Sequence, residues 1–441
     1  MSHGWSRRRF LGVSAASGAA ALAGCATNPV SGRRQFMLVS ERQEIELDRK
    51  WAPHQFSNDY GASQDKALNA YLAEVGRSMT AVTQRRQMPY SFRVVNAVVV
   101  NGYTLPAGSV ALARGLMLSF RDEAELAAVL GHELGHVNWR HAGERMSKST
   151  VAMLAVAGLG AYAKRELDKY ADLAAGLGTI GANLMLSRYS RDDEREADAS
   201  GMDYMVAAKH NPNGMAGVMQ TFMSLHRSRP STVDLLFSTH PMSDERYRNA
   251  LERIRQRHSE ATAYAVNRER FMDKTAGLRK LRGAVENMQK GQREMVGGKL
   301  DPAQGYFTAA LKEAPGDYAG LLLAAKCSIA RKKYEEAVRY TERAKAAYPG
   351  EPQADHVGGM ARMKKGQYDA ALAGFAAYES KLPGNPNTVF FRGLCLEGMG
   401  RKNQAATEYK RYYRQAPSGQ YSGHARTRLT EWGYIRSPQK K

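Results

Sequence analysis

The sequence predicts an α+β fold, mostly α: an N-terminal body with a small β-sheet, then an α-solenoid. Three observations predict it. The β-branched stretch "YSFRVVNAVVVNGYTLPAGSVALARGLM", broken by Asn-Gly and Pro-Ala-Gly, reads as two or three short strands. The run "DEAELAAVLGHELGHVNWRHAGERM" after it reads as a helix, with Arg121, Asp122 and Glu123 near its start. In the C-terminal third, Pro315, Pro349, Pro383 and Pro417 recur with a spacing of 34 residues, the mark of a repeat array.

At 441 residues the chain is too long for one ordinary domain. Hydrophobic residues make up 43% and charged residues 24%, which suits a globular body. The formal charge of +21 favours anionic lipid, acidic protein or nucleic acid as partners, or reflects a generally basic proteome. No zinc-finger or RNP-type motif is present, so no nucleic-acid partner is expected.

Residues 1–24 read as an export signal. "SRRRFLG" places Arg7 and Arg8 before Phe10 and Leu11, a weakly apolar Ala/Gly/Ser stretch follows, and "LAGC" ends it at Cys25. The pattern resembles a twin-arginine lipoprotein signal, and its apolar stretch is too short for a transmembrane span. The expectation is cleavage before Cys25, lipidation of its thiol, and residence in the periplasm. Ala26 then points to the outer membrane. Residues 25–44, polar and turn-rich, read as the lipidated tether. Helical patterning begins near Glu41, and residues 45–262 read as one domain. Within it, residues 150–187 are rich in Ala and Gly and read as membrane-leaning helices or as helices packed over a site. Packing is favoured, because each apolar run is too short to cross a bilayer. Residues 263–283 read as a linker helix.

The repeat spans 284–419. Counting back from each proline aligns Ala303, Ala337, Ala371 and Ala405. Phe307, Phe375 and Tyr409 share a second register, and Gly291, Gly359 and Gly393 a third. Small residues let two helices approach, the aromatic fills the seam, and proline ends the second helix. This resembles the tetratricopeptide repeat in about four copies, with Thr341 in place of one aromatic and Lys290 and Arg392 where leucine is usual. Residues 420–441 read as a capping helix and basic tail. Cys327 and Cys395 fall at one repeat position, two repeats apart, too far for a bridge.

The helix after the strands carries "HELGH", residues 132–136. On an α-helix, positions i and i+4 lie about 40° apart, so His132 and His136 can face one ion. A zinc ion there keeps one position open for water, and Glu133 is placed to act as general base. His141 lies nine residues after His132, near the opposite face of a continuous helix, and is not read as a ligand. A downstream helix must supply the third one. "SRDDEREAD" offers Glu194, with Asp198 one turn on as an acceptor from a ligand histidine. Gly131 and Gly135 keep neighbouring positions small, for close packing or substrate approach.

HELGH, then EREAD, then "STHPMSDER" together resemble the gluzincin family of the CAAX prenyl-protein endopeptidase, in a periplasmic branch with C-terminal tetratricopeptide repeats. "NPVSGRRQ", "VNGYTLPAGSVALARGLM" and "WRH" extend the resemblance over nearly all of the mature chain. It implies one zinc ion per chain held by His132, His136 and Glu194, with Glu133 as base. It places His240 and Arg246 near the open metal position. There they would stabilise the oxyanion of peptide hydrolysis, or His240 would occupy the fourth position at rest. It also implies an edge strand near Val98–Tyr103, with Asn101, Gly102 and Tyr103, on which substrate pairs as an added strand. Here Gly102 replaces a usual alanine, and Pro106–Ala107–Gly108 replaces Pro-Gly-Gly.

The function implied is a zinc endopeptidase of envelope quality control that cleaves unfolded or misassembled envelope proteins, including outer-membrane barrels. The repeat groove would recruit an envelope partner. Two rivals stand beside it: a repeat-based chaperone or adaptor with dispensable proteolysis, and a processing enzyme cutting one precursor at one site.

Overall fold

A computed structural model describes residues 25–157, 188–228 and 230–436. The signal expected at 1–24, residues 158–187 of the Ala/Gly-rich stretch, and the last five residues lie outside the described residues. Among the described residues no helix is long and apolar enough to cross a membrane.

The chain begins with a hairpin, β1 (Cys25–Thr27) against β2 (Arg34–Phe36). Residues 25–36, expected as a tether, are therefore structured. The reason lies in Asn28 and Gln35. Both donate through their side-chain amides to the carbonyl of Trp139, at 3.0 and 3.2 Å. Helix α1 (Glu41–Asn58) follows, closed at its start by a capping box of Ser40 and Gln43. Its buried Glu44 pairs with Arg85 at 2.7 Å and with Arg140 at 3.1 Å. Helix α2 (Lys66–Thr80) is capped by Asp65 and buries one apolar face.

The sheet has three strands: β3 (Ser91–Val95), β4 (Gly102–Thr104) and β5 (Ser109–Ala113). Strand β5 is central, parallel to β3 and antiparallel to β4. Among the described residues β4 is thus an edge strand, and it begins at Gly102. Residues 98–101, expected to be strand, form a bend instead. The bend is held because Arg114 N donates to Ala97 O and Gln289 donates to Val98 O. After the short α3 (Arg114–Met117) comes α4 (Glu123–Trp139), capped by Asp122. Nearly every residue of α4 is buried, so it runs through the centre of the body.

Helices α5 (His141–Ala157), α6 (Arg191–Ala207), α7 (Asn213–Ser228), α8 (Pro230–Thr239) and α9 (Asp244–Arg257) enclose α4. The expected linker helix is two short helices, α10 (Arg268–Lys274) and α11 (Ala276–Lys280). Phe271 of α10 is fully buried beside Tyr71 and Phe120, so the linker is part of the core.

Eight helices in four antiparallel pairs make the solenoid, from α12 (Arg282–Val296) to α19 (Lys402–Gln415), and α20 (Ser422–Glu431) closes it. The register residues do what their sizes allow. A Cβ on Gly291 would lie 2.4 Å from the Phe307 ring, and one on Gly393 would lie 2.7 Å from Tyr409. Each glycine therefore makes room for the aromatic of the next helix. Thr341, which replaces an aromatic, occurs where Ala325 replaces the glycine, and a ring would compete with that methyl group. The capping helix is seated by Tyr421, which stacks on Phe390 at 4.3 Å.

The first repeats of the solenoid share one continuous apolar core with the body, from Tyr60 to Val357, and the later repeats with the capping helix form a second, from Met363 to Leu429. Across the junction Arg114 grips Asp317 with two N–H groups, at 2.5 and 3.1 Å, both side chains buried. Burial raises the Asp317 carboxyl, but the Arg114 charge outweighs it and holds the group below its ordinary value. A depressed folded-state pKa contributes stability above the unfolded pKa of about 3.9, and that stability is lost as pH falls through the folded value. Asp317→Asn should cost about 3–5 kcal/mol near neutrality by leaving Arg114 unpaired. Thermal melts should show that deficit shrinking once the pH drops below about 4.

Candidate metal centre

Helix α4 carries His132, Glu133 and His136, and α6 carries Glu194 and Asp198. What brings them together is a contact between backbones. A Cβ on Gly131 would lie 2.7 Å from the Gly201 carbonyl oxygen, and one on Gly135 would lie 2.7 Å from Ala197 Cα. Only glycine permits this approach. Gly131 and Gly135 thus serve packing, and the sequence offered no sign that Gly201 was their counterpart.

The approach gathers four donors. His132 Nε2 is 3.0 Å from His136 Nε2. Glu194 lies 3.6 Å from the first and 3.5 Å from the second. His240, on the turn after α8, puts Nδ1 3.2 Å from His132 Nε2 and 3.1 Å from Glu194 Oε1. All four ligating atoms lie within 4.8 Å of one another. The residues fit a cation. His132 Nδ1 is 2.8 Å from Asp198 Oδ1 and must carry the hydrogen of that bond, because an ionised carboxylate only accepts. A neutral His132 then turns the lone pair of Nε2 towards His136 Nε2. Three imidazoles and one carboxylate converging at a buried position suit a borderline divalent metal.

The electrostatics agree. Burial lowers His132, yet the Glu194 and Asp198 charges outweigh it and raise the group, a field that also attracts a cation. Burial of His136 holds it well below the ordinary histidine value, neutral and ready to ligate. For Glu194 burial raises the carboxyl, but His240, Arg246 and His132 override it and keep it ionised. Glu133 differs: burial raises it, with His240 and His132 only partly opposing. Its Oε1 lies 3.8 Å from His240 Nε2, and its Oε2 is buried without a hydrogen-bond partner among the described residues. A carboxylate so poised is suited to take up a proton.

Arg246 is not placed as an oxyanion donor. Nε and Nη2 each donate to Asp198 at 2.7 Å, and Nη1 contacts Pro241 O at 3.0 Å and Glu194 Oε2. Its guanidinium is engaged in orienting the two carboxylates. Of the three expected edge residues, only Gly102 turns its backbone outward. Asn101 O accepts from Ala113 N and Leu105 N donates to Ser109 O, so by alternation Asn101, Tyr103 and Leu105 face β5 while Gly102 and Thr104 face away. The Tyr103 hydroxyl donates to Asp59 at 2.6 Å. A Cβ on Gly102 would lie 2.8 Å from Leu112 Cδ2, which accounts for glycine there. Gly102 also borders a narrow pocket beside His132 and Glu133, lined by Met215, Met219, Phe222, Leu236 and Met242. Cys25, expected to be lipidated, is exposed at the start of the hairpin.

Two residues that the sequence reading missed or set aside belong to this site. Tyr189 stacks on His136 at 3.7 Å and donates its backbone N–H to Thr239 O, one residue before His240. His141, set aside on the assumption of one continuous helix, touches His136. The helix in fact ends at Trp139, and Arg140 takes the left-handed conformation at φ 60°.

Replacing Gly131 or Gly201 by valine should wedge α4 from α6, costing about 1–3 kcal/mol of stability. Metal content after dialysis should fall with it, while a valine at the exposed Gly305 should leave metal content unchanged.

Residues 66–254 match peptidase family M48, and residues 297–357 and 357–419 each match a tetratricopeptide repeat family. A beta-barrel assembly-enhancing protease of Yersinia pestis is 25% identical over 78% of this chain and 75% of its own length. A Vibrio cholerae protein provisionally given the same name is 30% identical over 45% of this chain, and the match spans 42% of that protein. The metalloprotease YcaL of Escherichia coli is 28% identical over 45% of this chain and 74% of its own length.

Proposed function

Because the chain carries a peptidase family M48 domain followed by tetratricopeptide repeats, we propose that it is a zinc-dependent endopeptidase acting on unfolded or misassembled envelope proteins. The observation that carries this reading is the convergence of His132, His136 and Glu194 beside an apolar pocket and the edge strand of the described sheet. Bound there, a zinc ion would acidify a water molecule and polarise the scissile carbonyl. Glu133 takes the proton from the attacking water and passes it to the leaving amine. Asp198 and Arg246 hold His132 and Glu194 in place. Gly102 and Thr104 offer an N–H and a C=O each to an extended substrate, which reads backbone rather than sequence. The methionine-lined pocket takes an apolar side chain, the kind that a folded protein hides and an unfolded one exposes.

His240 gives this reading a second part. Its Nδ1 sits among the three ligands, where the substrate carbonyl must come, so at rest it closes the site. The lipid anchor at Cys25, the periplasmic face of the outer membrane as its place, and an envelope partner in the repeat groove complete the proposal. The names of the relatives in Yersinia pestis and Escherichia coli support the envelope and protease parts of it.

Digestion of denatured envelope proteins should stop with chelator and return with zinc. Glu133→Gln should keep the metal and lose about 10²–10⁴ in kcat. If the Gln variant turns over substrate normally, the assignment of the base fails. An adaptor would keep its cellular role in that variant, and a single-site processing enzyme would leave most denatured proteins intact. His240→Ala should cleave faster than the wild type at equal metal content, whereas lost turnover would make His240 an oxyanion donor.

A further inference from the structure

His141 lies directly behind His136, on the side away from the pocket. Its Nδ1 is 2.8 Å from His136 Nδ1, and its Nε2 is 3.1 Å from Glu196 Oε2. Glu196 is on α6, two residues past Glu194, and its carboxylate is half-exposed. Asp193 Oδ1 is more distant from His141 Nε2, at 3.8 Å, and its Oδ2 already accepts from Ser190 N.

Hydrogen accounting orients the chain of contacts. If His136 ligates through Nε2, its neutral ring carries the hydrogen on Nδ1. Two Nδ1 atoms at 2.8 Å can share only one hydrogen, so His141 accepts through Nδ1. The neutral His141 ring then carries its own hydrogen on Nε2, aimed at Glu196, which only accepts. Each contact has one donor and one acceptor, and no other neutral tautomers satisfy all of them.

The backbone makes this arrangement deliberate. Arg140, a residue with a Cβ, adopts φ 60°, a conformation costing about 1 kcal/mol for such a residue. Its side chain is tied to buried Glu44 and to Val39 O at 2.8 Å. That tie offsets the strain and folds His141 back beneath the metal helix. Trp139 lies nearly parallel to the His141 ring, 14° apart, at 6.2 Å.

We propose that His141 and Glu196 form a positioning relay for His136, fixing its tautomer and aim from the solvent side of the site. The relay rests on the reading of His136 as a zinc ligand. Partners of this kind typically govern metal affinity by 10–100-fold.

The test uses the full mature chain. Zinc affinity is measured by competition with a chromogenic chelator, and nitrogen NMR of the zinc-loaded protein reports histidine tautomers. His141→Phe should weaken zinc about 10–100-fold. Glu196→Ala, at a half-exposed position that leaves the fold intact, should weaken it by a smaller factor. Glu196→Gln, whose amide oxygen still accepts, should recover most of that loss. His141 should carry its proton on Nε2 and none on Nδ1. Unchanged affinity in both His141→Phe and Glu196→Ala, or a proton on His141 Nδ1, overturns the relay. If instead the wild type takes up no stoichiometric zinc, the metal reading itself fails, an outcome distinct from a wild type that binds zinc tightly without regard to His141.

Discussion

Gly131 and Gly135 on one helix meet Gly201 and Ala197 on another so closely that their backbones touch. Everything at the site depends on that approach. With α4 and α6 at an ordinary separation, Glu194 would stand too far from His132 and His136 to share an ion with them. His132 would also lose its bond to Asp198. The fold surrounds this contact with apolar residues, and α4 itself is buried along almost its whole length, so the geometry has little freedom to relax.

A second constraint acts at the C-terminal end of α4. Arg85 and Arg140 converge on Glu44, a buried carboxylate that burial raises and that its two guanidinium partners only partly bring down. The hairpin at residues 25–36 binds the Trp139 carbonyl from outside. These contacts end the helix sharply, set the left-handed Arg140 and direct His141 inward. The same end of the helix that receives the N-terminal hairpin therefore also shapes the back of the metal centre. On the opposite side, the body meets the solenoid through Arg114 and Asp317, through Gln289 on Val98 O, and through Glu351, which accepts from the Ser57 hydroxyl at 2.5 Å. The bend before the edge strand is thus held partly by the first repeat helix.

Much of this was legible in the sequence because it is local. A four-residue spacing of histidines needs only helical geometry to be read. The proline period announces a solenoid, and the paired glycine and aromatic registers announce how its helices pack. Other features depend on distant parts of the chain. Tyr189 has no local feature that marks it, since its partners are His136 and the turn at Thr239. The tether was misread because Asn28 and Gln35 bond to a carbonyl more than a hundred residues away. The strand at 98–101 was misread because composition favours extension there, while Gln289 and Arg114 hold a bend.

The sequence by itself determined which side chains could bind a metal, that a small sheet would precede the helix carrying them, and that the last third would stack in repeats. Each of these follows from spacing along the chain. Tertiary structure decided that Glu194 and His240 reach the two histidines, that Arg246 serves the carboxylates and that His141 faces inward. These depend on where helices end and how near they come, and such distances are set by contacts between residues far apart in sequence, which no local pattern records.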